Sequence, residues 1–219
     1  MNVTLKKQAW LCAIALSALT LGSALTARAD IVVVTGVNNQ GTDNVLLNPL
    51  TNQSLVTGTV GPDNLVVNFT SLSGSTLLTS NPSGQATVSG GEGNAPMTQI
   101  GFDLDNGETF TRAVFNVNAA VNGSVLIHVE GINIDGGFFE DDFTVDANGE
   151  NFFTVTSING QLMESISLTA LAGATFTDLR QVRLGGFVTA VPEPQTYALM
   201  LAGLAAVGFI ARRRKGSSV

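Results

Sequence analysis

Between Asp30 and Ala190, apolar residues recur with a period of two and nowhere hold the period of a helix over a useful length, which restricts this body to β structure. Ala113, Phe115 and Val117 alternate with Val114, Asn116 and Asn118, and Val125, Ile127 and Val129 alternate with Leu126, His128 and Glu130. That is the spacing of a pleated strand with one face inward. Shorter runs of the same kind lie at 31–35, 65–70, 152–157, 164–169 and 181–188. Gly- and Asn-rich breaks separate them, at Gly36 to Gly41, Gly90 to Asn94, Asp105-Asn106-Gly107, Asn122-Gly123, Gly136-Gly137 and Asn148-Gly149. Asn-Gly pairs tolerate the positive φ of tight turns, so strands spaced roughly ten residues apart with turn signals between them predict an antiparallel β-sandwich, jelly-roll or immunoglobulin-like, over 30–190. The polar stretch from Asn38 to Gly61 reads as a looser lead-in.

Composition narrows the function classes. With 44% hydrophobic and 12% charged residues in 219, the chain is too apolar to be disordered and is long enough for one domain with terminal extras. The body has no lysine and three arginines, Arg112, Arg180 and Arg183, against sixteen acidic residues, a net charge of −13 with His128 neutral. Such a surface repels nucleic acid, whose binding needs a positive field, so no nucleic-acid partner is expected. The single cysteine, Cys12, precedes the body. Disulfides and thiolate ligands are therefore excluded from the body.

The two ends carry export signals. Lys6 and Lys7, an apolar stretch from Ala9 to Leu25, and Ala27-Arg28-Ala29 have the anatomy of a signal-peptide helix at 1–29, with signal peptidase reading Ala27 and Ala29 and cutting after Ala29. At the other end stand Val191-Pro192-Glu193-Pro194, an apolar segment from Tyr197 to Ile210, and Arg212-Arg213-Arg214-Lys215. Pro192 and Pro194 bar the preceding residues from the α region and hold that backbone extended, as a protease cleft requires. A transmembrane helix over 196–211 would reach only about 24 Å, short of the ~30 Å hydrocarbon core, and the basic cluster would keep its end cytoplasmic. This order of motif, helix and basic cluster resembles the PEP-CTERM sorting signal of Gram-negative bacteria, here over 191–215. The resemblance implies exosortase as a partner in the inner membrane, transient anchoring there, and a cell-surface or extracellular destination.

Chemistry in the body is sparser. His128 is the sole histidine, which excludes a His-rich zinc site, and no Gly-x-Ser-x-Gly motif supplies it with a serine. No catalytic residue is expected, and no cofactor. Asp103 and Asp105 would share a strand face, and Asp146, Asn148 and Glu150 are similarly spaced. These five are weak calcium candidates, because hard cations favour clustered oxygen ligands, although the EF-hand pattern is incomplete. Phe138-Phe139 reads as a strand start with one ring in the core.

Trp10 and Tyr197 both lie outside the body, which leaves phenylalanine as its only aromatic type and weakens a lectin or glycosidase reading, since sugar platforms usually use Trp or Tyr. The expectation is a non-enzymatic structural or adhesive protein of the cell surface or exopolysaccharide matrix. Its alternatives are a carbohydrate-binding module or a secreted two-carboxylate polysaccharide hydrolase, and a tail-anchored periplasmic binding domain.

Overall fold

The structure is a computed structural model that describes residues 30–48, 53–80, 86–91, 95–188, 200 and 202–204. Among them, every strand pairing is antiparallel, in two sheets. The strands are β1 Asp30–Thr35, β2 Asp43–Asn44, β3 Leu46–Leu47, β4 Leu55–Val60, β5 Leu65–Ser71, β6 Leu77–Ser80, β7 Thr87–Gly90, β8 Gln99–Leu104, β9 Arg112–Val121, β10 Gly123–Ile132, β11 Phe138–Ala147, β12 Glu150–Ile158, β13 Leu162–Ala170 and β14 Thr175–Gly185. The front sheet runs β11-β10-β13-β8-β5-β4-β3, and the back sheet runs β1-β12-β9-β14-β7-β6 with β2 also on β14.

The period-two pattern explains the core. Val125, Ile127 and Val129 of β10 and Ala113, Phe115 and Val117 of β9 are buried, each set pointing between the sheets. Four rings bridge the layers: Phe69 and Phe102 of the front sheet and Phe115 and Phe153 of the back sheet, with successive centroids 5.9, 5.7 and 6.1 Å apart. Each buried ring contributes about 1.5–3 kcal/mol of transfer free energy, and the tilted and edge-on geometries add to it.

Several expectations are corrected. The 38–61 stretch is not a lead-in, because it carries β2, β3 and the six-residue β4 of the front sheet. The strand expected at 181–188 begins at Thr175, ends at Gly185, and is bulged between Arg180 and Arg183. Asn122-Gly123 makes no hairpin; it passes the chain from β9 in the back sheet to β10 in the front sheet. Glycine is needed there for close approach, since a Cβ on Gly123 would sit 2.7 Å from the Cβ of Ala174.

Part of the outer face of the back sheet is also covered, although Val32 and Val34 of β1 stay exposed there. After β1 the chain folds back over that face as a strap, residues 36–42. Thr154 Oγ1 donates to Gly36 O at 2.9 Å and accepts from Asn38 N–H at 3.1 Å, and Arg112 Nη1 donates to Gln40 O at 2.6 Å. Val114 and Asn116, on the outward positions of β9, are buried in consequence. Val45, between β2 and β3, donates its N–H to Val182 O at 2.9 Å as the chain crosses to the front sheet.

The signal-peptide helix at 1–29 lies outside the described residues. Of the C-terminal apolar segment only Met200 and residues 202–204 are described, as helix, and among the described residues no helix is long and apolar enough to cross a membrane.

Candidate functional site

The outer face of the front sheet carries a polar groove whose members are set by register. One row across the sheet reads Thr70, Gly101, Ser167, His128 and Asp142, and the next reads Asn68, Asp103, Ser165, Glu130 and Glu140. All of these lie on the strand positions opposite the buried set. Gly101 has no side chain and so leaves a depression of about 310 Å³ bounded by Thr70, Leu72, Asp103, His128, Glu130 and Ser167.

His128 joins two strands here. Its Nδ1 lies 2.7 Å from Asp142 Oδ1 on β11 and its Nε2 lies 3.3 Å from Glu130 Oε1. Burial pulls the imidazole pKa down, but hydrogen bonds and charges from Asp142 and Glu130 outweigh it, so the pKa stands above the ordinary histidine value. Ser165 Oγ donates to the other carboxylate oxygen of Glu130 at 3.0 Å. Asp103 accepts from Asn68 Nδ2 at 3.0 Å. Burial pushes its carboxyl pKa up, the Asn68 bond opposes this, and the charge of Asp105 adds to it. Glu164, at the β13 bulge, is likewise raised by burial and by Glu130.

The five calcium candidates do not converge. β8 ends at Leu104, so Asp105 stands in a 3-10 turn with its Oδ2 accepting from Asn106 Nδ2, and it does not share a strand face with Asp103. Asp146 lies on β11, three strands from β8, where Ser124 Oγ donates to it at 3.3 Å. Asn148 follows in the exposed turn before β12, and the side chain of Glu150 lies outside the described residues. Among the described residues, no group of three or more His, Cys, Asp or Glu is placed to hold a metal ion. Phe138 is 82% exposed and Phe139 is buried at the start of β11, as the alternation implies. Sequence reasoning found His128 and Glu130 on one face. It missed their partners, since Asp142, Ser165 and Asp103 come from other strands whose register no local pattern encodes.

The sorting residues Val191, Pro192, Glu193 and Pro194, the basic cluster Arg212 to Lys215, and the cleavage residues Ala27 and Ala29 lie outside the described residues. Comparison with curated proteins yields no match. Among solved structures the chain is similar to a family 29 carbohydrate-binding module, with 15% identity over 73% of this chain and 87% of that one and a TM-score of 0.32. It is similar also to a variant of such a module complexed with cellulohexaose, with 15% identity over 74% of this chain and 90% of that one and a TM-score of 0.31. A third likeness is to the enzymatically active domain of bacteriophage CBA120 tailspike protein 4, with 12% identity over 69% of this chain and 21% of that one and a TM-score of 0.26. Likenesses this distant say nothing about ligand or activity. The C-terminal segment is more specific: residues 190–215 match the model of the PEP-CTERM protein-sorting motif, so the chain is an all-β sandwich that carries a PEP-CTERM sorting signal.

Proposed function

We propose that this chain is an exported, exosortase-processed protein of the cell surface or exopolysaccharide matrix, and that its sandwich is a structural and adhesive body without enzymatic activity. The observation that carries the reading is the sorting motif at 190–215, at the end of a chain that opens with signal-peptide anatomy. Signal peptidase removes 1–29, exosortase recognises Val191 to Pro194, and the C-terminal helix holds the intermediate in the inner membrane until then. The surroundings of His128 support a non-catalytic body. Both ring nitrogens face carboxylates, and Ser165 donates to Glu130 and not to the histidine, so the two do not form a base-and-hydroxyl nucleophile pair.

A second reading, a two-carboxylate hydrolase, draws on Asp103 and Glu130. They stand in one row separated by Ser165, two strand spacings or about 9.5 Å apart at the backbone, and both border the same groove. Asp103, with its raised pKa, would be the acid. Glu130 is already engaged by His128 and Ser165, which favours the structural reading.

The test is the C-terminus of the protein taken from cells with and without exosortase, read by mass spectrometry after fractionation. Loss of the tail from about Pro194 onward, only when exosortase is present, with the body in the outer layer or medium, is the expected result. An intact Arg214-containing terminus in both strains, with the protein in the inner membrane, would make this a tail-anchored periplasmic domain. Release of reducing ends from exopolysaccharide by the protein, abolished by Asp103→Asn, would replace the structural reading by the hydrolase.

A further inference from the structure

The body is strongly acidic, yet its three arginines share one surface. Arg112 of β9 and Arg180 and Arg183 of β14 occupy register positions on the outer face of the back sheet, opposite the acidic groove. Arg180 is neutralised by Asp178. Arg183 is not: its Nε donates to Thr42 Oγ1 at 3.3 Å, its Nη1 to Asn44 Oδ1 at 2.8 Å and its Nη2 to Thr42 O at 3.2 Å, all uncharged oxygens. A guanidinium has five N–H donors, so among the described residues two remain, with a full positive charge.

Arg183 lines a cavity of about 210 Å³ between the strap and β14, together with Asn39, Asn44, Gln181 and Phe152. The volume is below the ~300–1,000 Å³ typical of drug-sized ligands and suits one sugar-sized group. Its wall is built at a conformational cost, because Gln181 has φ 50, a left-handed value that a long side chain rarely adopts. The bulge between Arg180 and Arg183 makes room for it. Three carboxamides supply donors and acceptors for hydroxyls, Phe152 supplies an apolar patch for the C–H face of a ring, and Arg183 supplies the only charge among these five side chains.

We propose that this cavity binds a carboxylate-bearing sugar, a uronic acid unit of an acidic polysaccharide, with Arg183 on the carboxylate and Asn39, Asn44 and Gln181 on the hydroxyls. A fixed cation screened from the acidic face by the width of the sandwich lets an acidic protein hold an acidic polymer. The proposal names a ligand for the matrix protein inferred above and rests on that reading for its setting only, because binding is measured apart from sorting.

Calorimetric titration of the full-length chain in neutral detergent with a glucuronic acid oligosaccharide, and with the corresponding neutral glucose oligosaccharide, tests it. Binding of the uronate at least tenfold tighter than the neutral sugar, weakened by salt, is expected. Arg183→Gln is expected to lower uronate affinity at least tenfold. Since Arg183 also ties down the strap, Asn39→Ala and Gln181→Gly serve as second variants; each removes one carboxamide, is expected to weaken binding severalfold, and leaves the melting temperature near that of wild type. Asp146→Asn, on the edge strand of the front sheet, is expected to leave uronate affinity unchanged. Equal affinity for both sugars, no binding of the uronate, or loss of binding with Asp146→Asn but not with Arg183→Gln would overturn the proposal. None of these outcomes bears on C-terminal processing.

Discussion

At the residue scale, His128 is the clearest case of a side chain whose value depends on what the fold sets beside it. A folded pKa above the ordinary value near ~6.5 means that its contribution to stability is fully present below that value and disappears as pH rises through the folded one. His128→Gln keeps the bulk and removes the charge. Wild type should therefore melt above His128→Gln at pH 5, and the gap should close by pH 8. The pair is partly exposed, with 27% of the histidine side chain accessible, so solvent screening holds the effect to about 1 kcal/mol or less, a shift of roughly 2–4 °C for a domain of this size. A gap independent of pH would mean that packing, and not charge, distinguishes the two. The sequence placed His128 on an outward strand face beside Glu130. It did not disclose Asp142, fourteen residues away, as the closer partner.

At the element scale, the strap at 36–42 changes what the back sheet is. Outward positions of β9 would be half-solvated in an open sandwich, whereas Val114 and Asn116 are buried under it. Thr154 holds the strap with one donated and one accepted bond, and it is itself buried. Thr154→Val retains the shape and leaves Gly36 O and Asn38 N–H to find other partners. The expected loss is about 1–3 kcal/mol by urea unfolding, the usual range when a buried polar group loses its partner. The same variant should weaken uronate binding, because Asn39 and Asn44 are carried by this segment and the short strand after it. An unchanged urea midpoint would show that water satisfies the strap as well as Thr154 does. The front sheet manages its own edge differently: β11 places Glu140, Asp142 and Asp146 on its outward positions, and charges of this kind discourage pairing with another chain.

At the scale of the whole molecule, the charge distribution sets the pH response. Asp103, Glu164 and His128 all have pKa values raised on folding, so each binds protons more tightly in the folded state than in the unfolded one. For a raised acid or base alike, stability falls as pH rises through the window between the ordinary and the folded value. The body's own net charge of −13 acts in the same sense, since ionised carboxylates repel one another in the compact state. The urea midpoint is expected to be higher at pH 5 than at pH 8, with added salt narrowing the difference by screening the repulsion. A midpoint that rises with pH would require carboxylates stabilised on folding to outweigh these three groups.

By itself the sequence determined the β character of the body, the inward faces of β9 and β10, the position of most turns, the acidity and the sorting motif at the C-terminal end. These are local properties: a period of two, a glycine beside an asparagine, a motif next to an apolar run. Tertiary structure alone decided which strands are neighbours, and so brought Asp142 to His128, Asp103 and Glu130 to either side of Ser165, and Arg183 to the oxygens of Thr42 and Asn44 about 140 residues earlier. The physical reason is that strand alternation specifies a face but not a partner. Pairing and register are settled by how the two apolar faces close on one another, so both the front groove and the back cavity are consequences of packing.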